Sequence, residues 1–353
     1  MRRLLGPLLL AVAVAGVAGL AACGPRRAPP RARPAMPDVD FEAFVREQAP
    51  RSLARHRVPG LVIAVVRDGR IAFARGFGRA NVAQRSALQP DAVLRADPLA
   101  RSVATWGALR LVEEGRLDLD VPLSRYVPRV PRDSLEPLTL RRLLAAPPHP
   151  SDSLLPKAVA AAAGEPFGEY LRDAVLQPLG MSATAFELRR ENRDRLATGY
   201  ESDGQGHVRA VPAAAEADSL LLYTTVEDLA RWVVAGLPGR RAEAMRNDVL
   251  GEAAVQLLLD PARRTAEGWW TLGFQLDTLP TGLEYLRQGG SNSGWTAWVA
   301  TIPERGAGIV LLANHGAAWP VMAEIFCPWS ETAGGGRPMT LCPPPVPEDA
   351  SRR

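Results

Sequence analysis

Lysine is all but missing from this chain: its 353 residues include one, Lys157. Chemistry that relies on an amine as general base has only that residue to use. Cysteine is nearly as scarce, at three, and the four histidines, His56, His149, His207 and His315, are scattered. Neither type shows the close spacing of metal ligands, so no metal and no cofactor is expected. Internal repeats are missing too. Neither a Gly-x-Ser-x-Gly elbow nor a phosphate-cradling Walker loop is present.

A basic face is also lacking, despite a formal net charge of +4. Six of the 42 basic residues (Arg2, Arg3, Arg26, Arg27, Arg31 and Arg33) precede Asp38, and Arg352 and Arg353 end the chain. All 38 acidic residues lie at Asp38 or later. The body is therefore near neutral, which excludes the electrostatic footprint of nucleic-acid binding.

What is present begins with an address. Arg2 and Arg3 precede an apolar run from Leu4 to Ala22, which ends in Leu20-Ala21-Ala22-Cys23. A basic head, a short apolar stretch and small residues before a cut form a secretory signal. Residues 1–22 are expected to be that signal, with Cys23 lipidated and serving as the membrane partner. A plain signal peptide or an uncleaved anchor is the alternative. Residues 23–37 then read as a Pro/Arg-rich tether, since proline-rich segments stay extended and hold a domain off a surface. The expected location is the cell envelope, facing the periplasm or the exterior. Cys327 and Cys342 lie 15 residues apart. In an oxidising compartment a disulfide is expected there, and two free buried thiols are the alternative.

Residues 38–334 read as the folded body and 335–353 as a tail. Phe41 to Arg55 predicts an opening helix. Leu61 to Val66 and Ile71 to Phe77 are apolar runs split by Arg67-Asp68-Gly69-Arg70, a hairpin signal. Ala96 to Glu114 has helical spacing and stops at Gly115. Helices are predicted at Thr139–Ala145, Ala158–Gly164, Phe167–Leu179 and Thr225–Ala235, the last capped by Thr224 or Thr225. Strands follow at Trp269–Leu279, Leu283–Gln288, Trp295–Ile302 and Gly308–Ala313, then a helix from about Trp319. Strands at both ends of a helical centre imply an α+β fold, an α/β sandwich: one antiparallel sheet built from both chain ends, flanked by helices, with a helical insertion.

Several segments in this order resemble the serine β-lactamase-related family, which includes class C β-lactamases, D-alanyl-D-alanine carboxypeptidases and esterases. Val58-Pro59-Gly60-Leu61 leads into the hairpin, and Leu111 to Asp120 (LVEEGRLDLD) is similar to the end of the family's nucleophile-bearing helix. Leu138 to Leu144 (LTLRRLL), Gln177 to Met181 (QPLGM) and Tyr223 to Ala230 (YTTVEDLA) complete the frame. The resemblance covers about residues 38–330. It implies a serine at a helix N-terminus and a lysine three residues on, facing the same way to take its proton.

Counting back from Leu111 puts those two positions at Pro98 and Arg101. Proline carries no nucleophile, and arginine does not release its proton near neutrality. Asp97-Pro98 also reads as an N-cap followed by an N1 proline. The second family site normally holds a tyrosine two residues before an asparagine or aspartate. Here Pro150-Ser151-Asp152 stands there. The third normally runs from a lysine or histidine through a small residue to glycine, and Gln288-Gly289-Gly290-Ser291-Asn292 occupies it. Its glycines are expected to let a substrate backbone approach. The expected cleft residues are thus Ser151, Asp152, Gln288, Gly289, Gly290, Ser291 and Asn292.

The resulting expectation is a tethered pseudoenzyme that binds a cell-wall peptide, a β-lactam-like ligand or a partner protein without turnover. One rival is an active hydrolase using Ser151, Ser153 or Ser291, with Lys157 four residues after Ser153 as a base. Ser102 is expected to point off the cleft face. The other rival is an inert envelope protein.

Overall fold

In the computed structural model the described residues are 41–128, 137–203, 207–212, 220–238, 249–266, 268–338 and 341–342. The expected signal, Cys23, the tether and the last 11 residues of the tail lie outside them.

The chain opens with α1 (Phe41–His56), β1 (Gly60–Arg67) and β2 (Arg70–Asn81). Asp68 and Gly69 form the two-residue hairpin turn, both with positive φ (51° and 70°), and Arg67 pairs with Arg70. That left-handed pair matches the twist of the flanking strands. Short strands β3 (Ser86–Ala87) and β4 (Leu94–Arg95) lead into α2 (Asp97–Glu113). Then come α3 (Leu140–Leu144), α4 (Leu154–Ala163) and α5 (Phe167–Leu171), which runs on into a π-helical turn at Arg172–Leu176. Ribbon strands β5 (Gly199–Ser202) and β6 (Val208–Val211) precede β7 (Tyr223–Thr224), α6 (Val226–Ala235) and α7 (Glu252–Leu259). The last third holds β8 (Arg263–Thr265), β9 (Gly268–Trp270), β10 (Gln275–Thr278), β11 (Glu284–Asn292), β12 (Trp295–Ile302), β13 (Ala307–Ala313) and α8 (Trp319–Gly334).

Nine strands form one antiparallel sheet in the order β3-β2-β1-β13-β12-β11-β10-β9-β8. β1 pairs with β13, Leu61 opposite Ala313 and Val65 opposite Ile309, so the two chain ends meet at its centre. Both central strands are apolar on both faces because both faces are covered. Val62, Ala64 and Val66 pack under α2 and α6, while Leu61, Ile63 and Val65 pack against α1 and α8. This is the expected α/β sandwich, with α3 to α7 as the helical insertion.

Two expectations need correction. Trp269–Leu279 is not one strand: β9 and β10 are separate, because the chain turns at Thr271–Phe274, where the Thr271 N–H donates to the Phe274 carbonyl and Gly273 takes φ 102°. At α2 the N-cap is Ala96 rather than Asp97, and Asp97 and Pro98 are the first two helical residues. The Asp97 carboxylate is used elsewhere, as described below. At α6 the cap is Thr225, whose side chain accepts from the Asp228 N–H.

Candidate functional site

α2 is buried almost all round from Leu99 to Leu109. A helix apolar on every side belongs in the interior, and here it carries its N-terminal turn against β11. Strand alternation decides which β11 side chains meet it. Gln288, Gly290 and Asn292 pair with Val299, Ala297 and Trp295, whose side chains belong to the core on the α2 side. Gly289 pairs with Trp298, which belongs to the core beneath α8.

The α2-facing set converges on Pro98. Gln288, buried, donates from Nε2 to the Pro98 carbonyl at 3.1 Å. A Cβ on Gly290 would lie 3.4 Å from the Pro98 Cβ, so the proline ring sits directly opposite that glycine. Asn292 donates from Nδ2 to Asp97, whose carboxylate also accepts from Arg95 and from the Leu222 N–H at 3.0 Å. Asp97 thus ties β4, the entry to β7 and β11 to the start of α2. The cap reading of the sequence did not reveal this role.

Two sequence expectations fail at β11. Gly289 is not a substrate-approach glycine: a Cβ there would meet the Ala297 carbonyl oxygen and the Trp298 ring at 2.5 Å each. Its bareness serves sheet packing. Ser291 shares the face of Gly289 and bonds Thr296 Oγ1 at 2.9 Å, so it turns away from Pro98.

One helical turn beyond Pro98, Arg101 is 4% exposed. Its Nη1 donates to the Leu143 carbonyl at 3.1 Å, one of the carbonyls α3 leaves unpaired at its C-terminus. Its Nε lies 3.7 Å from Asp152 Oδ2, and its guanidinium sits over the Trp270 ring, 5.6 Å from the centroid. Burial pushes the Arg101 guanidinium below its ordinary value while Asp152 pulls it back up. Burial likewise raises the Asp152 carboxyl, against the lowering effects of Arg101 and the His149 N–H. Trp270 and the Leu143 carbonyl come from distant segments, and nothing in the sequence marks them as partners of Arg101.

Asp152 lies in a 3-10 turn, Pro150–Ser153, capped by His149. His149 Nδ1 stands 3.1 Å from Ser151 Oγ and 3.2 Å from the Ser151 N–H. Ser153 takes the N-cap position of α4, and Lys157 is exposed on that helix. Ser102 is buried and donates to the Gly273 carbonyl at 2.6 Å, off the cleft. The structure therefore gathers Pro98, Arg101, Asp152, Gln288, Gly290 and Asn292 at one end of α2.

An antiparallel sheet covered by helices on both faces, with a central buried helix that begins against an inner strand, is the scaffold of the β-lactamase-related proteins. The family model described as Beta-lactamase matches residues 41–146 and 149–322, and the chain belongs to that family. The match skips only residues 147–148, just before the turn that carries Ser151 and Asp152. A β-lactamase of Pseudomonas fluorescens is 21% identical over 338 residues, 78% of this chain and 94% of that protein. The human mitochondrial serine beta-lactamase-like protein LACTB is 36% identical over 78 residues, a stretch spanning 22% of this chain and 14% of the human one. Among solved structures, an octameric penicillin-binding protein homologue from Pyrococcus abyssi superposes with a TM-score of 0.73 at 22% identity. That superposition covers 87% of this chain and 80% of that one.

Proposed function

We propose that this protein is a lipid-anchored envelope protein whose β-lactamase-family domain binds a cell-wall peptide, a related acyl compound or a partner protein without turning it over. The observation that carries this reading is the pairing of Pro98 and Arg101 on α2. The first offers no nucleophilic atom. The second is buried, committed to Leu143 and Asp152, and holds its proton at any working pH. Gln288, where the family pattern has a cation or imidazole, is spent on the Pro98 carbonyl. The test is intact mass after incubation with a penicillin and, separately, with a fluorophosphonate. No adduct is expected, and a stoichiometric adduct on one serine overturns the reading. Anchoring through Cys23 is tested by Cys23→Ser, which is expected to move the chain from the membrane to the soluble fraction.

A second reading has one specific observation behind it. The 3.1 Å approach of His149 Nδ1 to Ser151 Oγ has the geometry of a nucleophile and its base. Against it, the same nitrogen accepts the Ser151 N–H, so its lone pair already serves as a turn cap. An adduct mapped to Ser151 and lost in Ser151→Ala would establish this reading.

A further inference from the structure

A cavity of about 20 Å³ lies on the inner side of the sheet, enclosed by α2, α6 and α7. Trp106 comes from α2, Trp232 from α6 and Leu258 from α7, while Phe274 and Thr301 close the side towards the sheet. Pro98 and Trp106 lie eight residues apart on α2, about 12 Å along a helix, so this cavity stands apart from the cleft.

Its lining is aromatic and aliphatic apart from the Thr301 hydroxyl, with no charged side chain among the described residues. Two donors in that lining are nevertheless unused. The indole N–H groups of Trp106 and Trp232 are buried and have no hydrogen-bond partner. A buried tryptophan N–H ordinarily finds an acceptor, and leaving one unpaired costs its full desolvation. The two rings stand 6.4 Å apart between centroids, close enough for one small molecule to meet both. An entrance is present at Gly236, which is only half-buried. A Cβ on Gly236 would lie 3.4 Å from Trp106 Cζ2, two bonds from the indole nitrogen. The edge of Trp106 that carries the N–H therefore borders the entrance.

These features select an occupant by its chemistry. A carboxylate would be stripped of water with no cation to pair it, and an ammonium would meet donors only. A plain hydrocarbon would leave both N–H groups unpaired. The volume admits a group of one or two heavy atoms, too few for a ring. A carbonyl carried by an uncharged aliphatic chain meets every condition. For the chain itself α7 offers apolar cover, since Val255 and Leu259, beside Leu258, are only partly buried.

We propose that this cavity binds a neutral aliphatic ester or ketone, its carbonyl oxygen accepting from the indole N–H groups of Trp106 and Trp232 while its chain leaves past Gly236. The site owes nothing to the cleft: it holds whether or not the residues around Pro98 bind a ligand.

The test is NMR on the full chain with nitrogen-15 tryptophan, in nanodiscs of an ether-linked lipid that brings no carbonyl of its own. Trp106→Phe and Trp232→Phe assign the two indole signals. Methyl hexanoate is expected to move both downfield and to bind about tenfold more tightly than heptane, which lacks the acceptor. Sodium hexanoate is expected to move neither. Gly236→Leu, which fills the entrance at a φ of −84° open to any residue, is expected to abolish the shifts. The ligand series needs no such variant, so a misfolded Gly236→Leu leaves the question answerable. Ester-linked nanodiscs with no added ligand separate the sources: matching shifts identify a bilayer lipid as the ligand, and their absence a soluble ester. Indole signals that exchange with water and stay unmoved by the ester mean a trapped water only, and overturn the site. Equal binding of ester and heptane overturns it too, because the two donors would then select nothing. Neither result bears on the penicillin and fluorophosphonate test of the cleft.

Discussion

Gln288 donates its side-chain amide to the carbonyl of Pro98 across 3.1 Å, joining the inner strand β11 to the first turn of α2. The contact is neutral and internal, and it closes the join between β11 and α2. Asn292, two steps along the same face, donates to the Asp97 carboxylate. The polar side chains on this face of β11 are turned on the protein itself.

The Arg101–Asp152 pair gives the first prediction. Removing one partner from a buried pair leaves an uncompensated charge, whereas replacing both with apolar groups of similar size is often neutral or better. Arg101→Met is therefore expected to cost about 3 kcal/mol. The double variant Arg101→Met/Asp152→Leu is expected to recover most of that loss. Urea unfolding of the four proteins of the cycle measures both effects, and additive losses would show that the 3.7 Å pair is not coupled.

Much of the frame was legible in the sequence because periodicity and turn chemistry are local. The Asp68-Gly69 hairpin, the buried run of β1 and the Thr225 cap each announce themselves within a few residues. The division between β9 and β10 was not legible, since an apolar run from Trp269 hides a turn that only Gly273 marks. β8 and the β5–β6 ribbon were missed because they are short and largely polar. At the site, counting along the motifs singles out Pro98, Arg101 and Gln288, but the partners of Arg101 come from α3, the 149–153 turn and β9. Such contacts are tertiary and leave no mark at the residue itself. Ser291 was misplaced for a simpler reason: it was counted into a motif without asking which face of the strand it occupies.

Cys327 and Cys342 are joined, fastening the segment after α8 back onto that helix. With the two 15 residues apart in sequence, chain-entropy reasoning puts the stabilisation at about 3 kcal/mol. Cys342→Ser is expected to lower the urea midpoint accordingly. A reducing agent should lower it by the same amount in the wild-type chain and not at all in the variant. A shift under reduction that persists in Cys342→Ser would place the redox sensitivity elsewhere.

Glu324 on α8 gathers α1 around it: Gln48 Nε2, Arg55 Nη1 and His56 Nε2 all lie within 2.9 Å of its carboxylate. Burial alone would raise this carboxyl, but the hydrogen bonds from His56 and Gln48 and the charge of Arg55 outweigh it, and its value falls below the ordinary one. For an acid so lowered, the stabilisation is full above the unfolded value of about 4.3 and is lost as pH falls through the folded value. Acid unfolding followed by circular dichroism should therefore be shallower in Glu324→Gln below about pH 4.5, where the wild-type chain is losing this contribution. Parallel curves would assign acid sensitivity to other carboxylates.

The strongest challenge to a silent cleft is to rebuild its chemistry one residue at a time. Serine is well tolerated in the first turn of a helix, so Pro98→Ser is expected to fold and to place a hydroxyl opposite Gly290. It should still give no adduct with a fluorophosphonate, because the side chain one turn on is an arginine that cannot take the proton. Adding Arg101→Lys supplies an amine at that turn, in a buried setting that favours loss of its proton, although Asp152 works against that loss. The double variant is expected to acquire a slow adduct, mapped to residue 98 by tandem mass spectrometry. If the single variant reacts as fast as the double, Arg101 is not what keeps the site inert. If neither reacts, the closure by Gln288 and Asn292 is the larger obstacle, and Gln288→Lys becomes the next change to make.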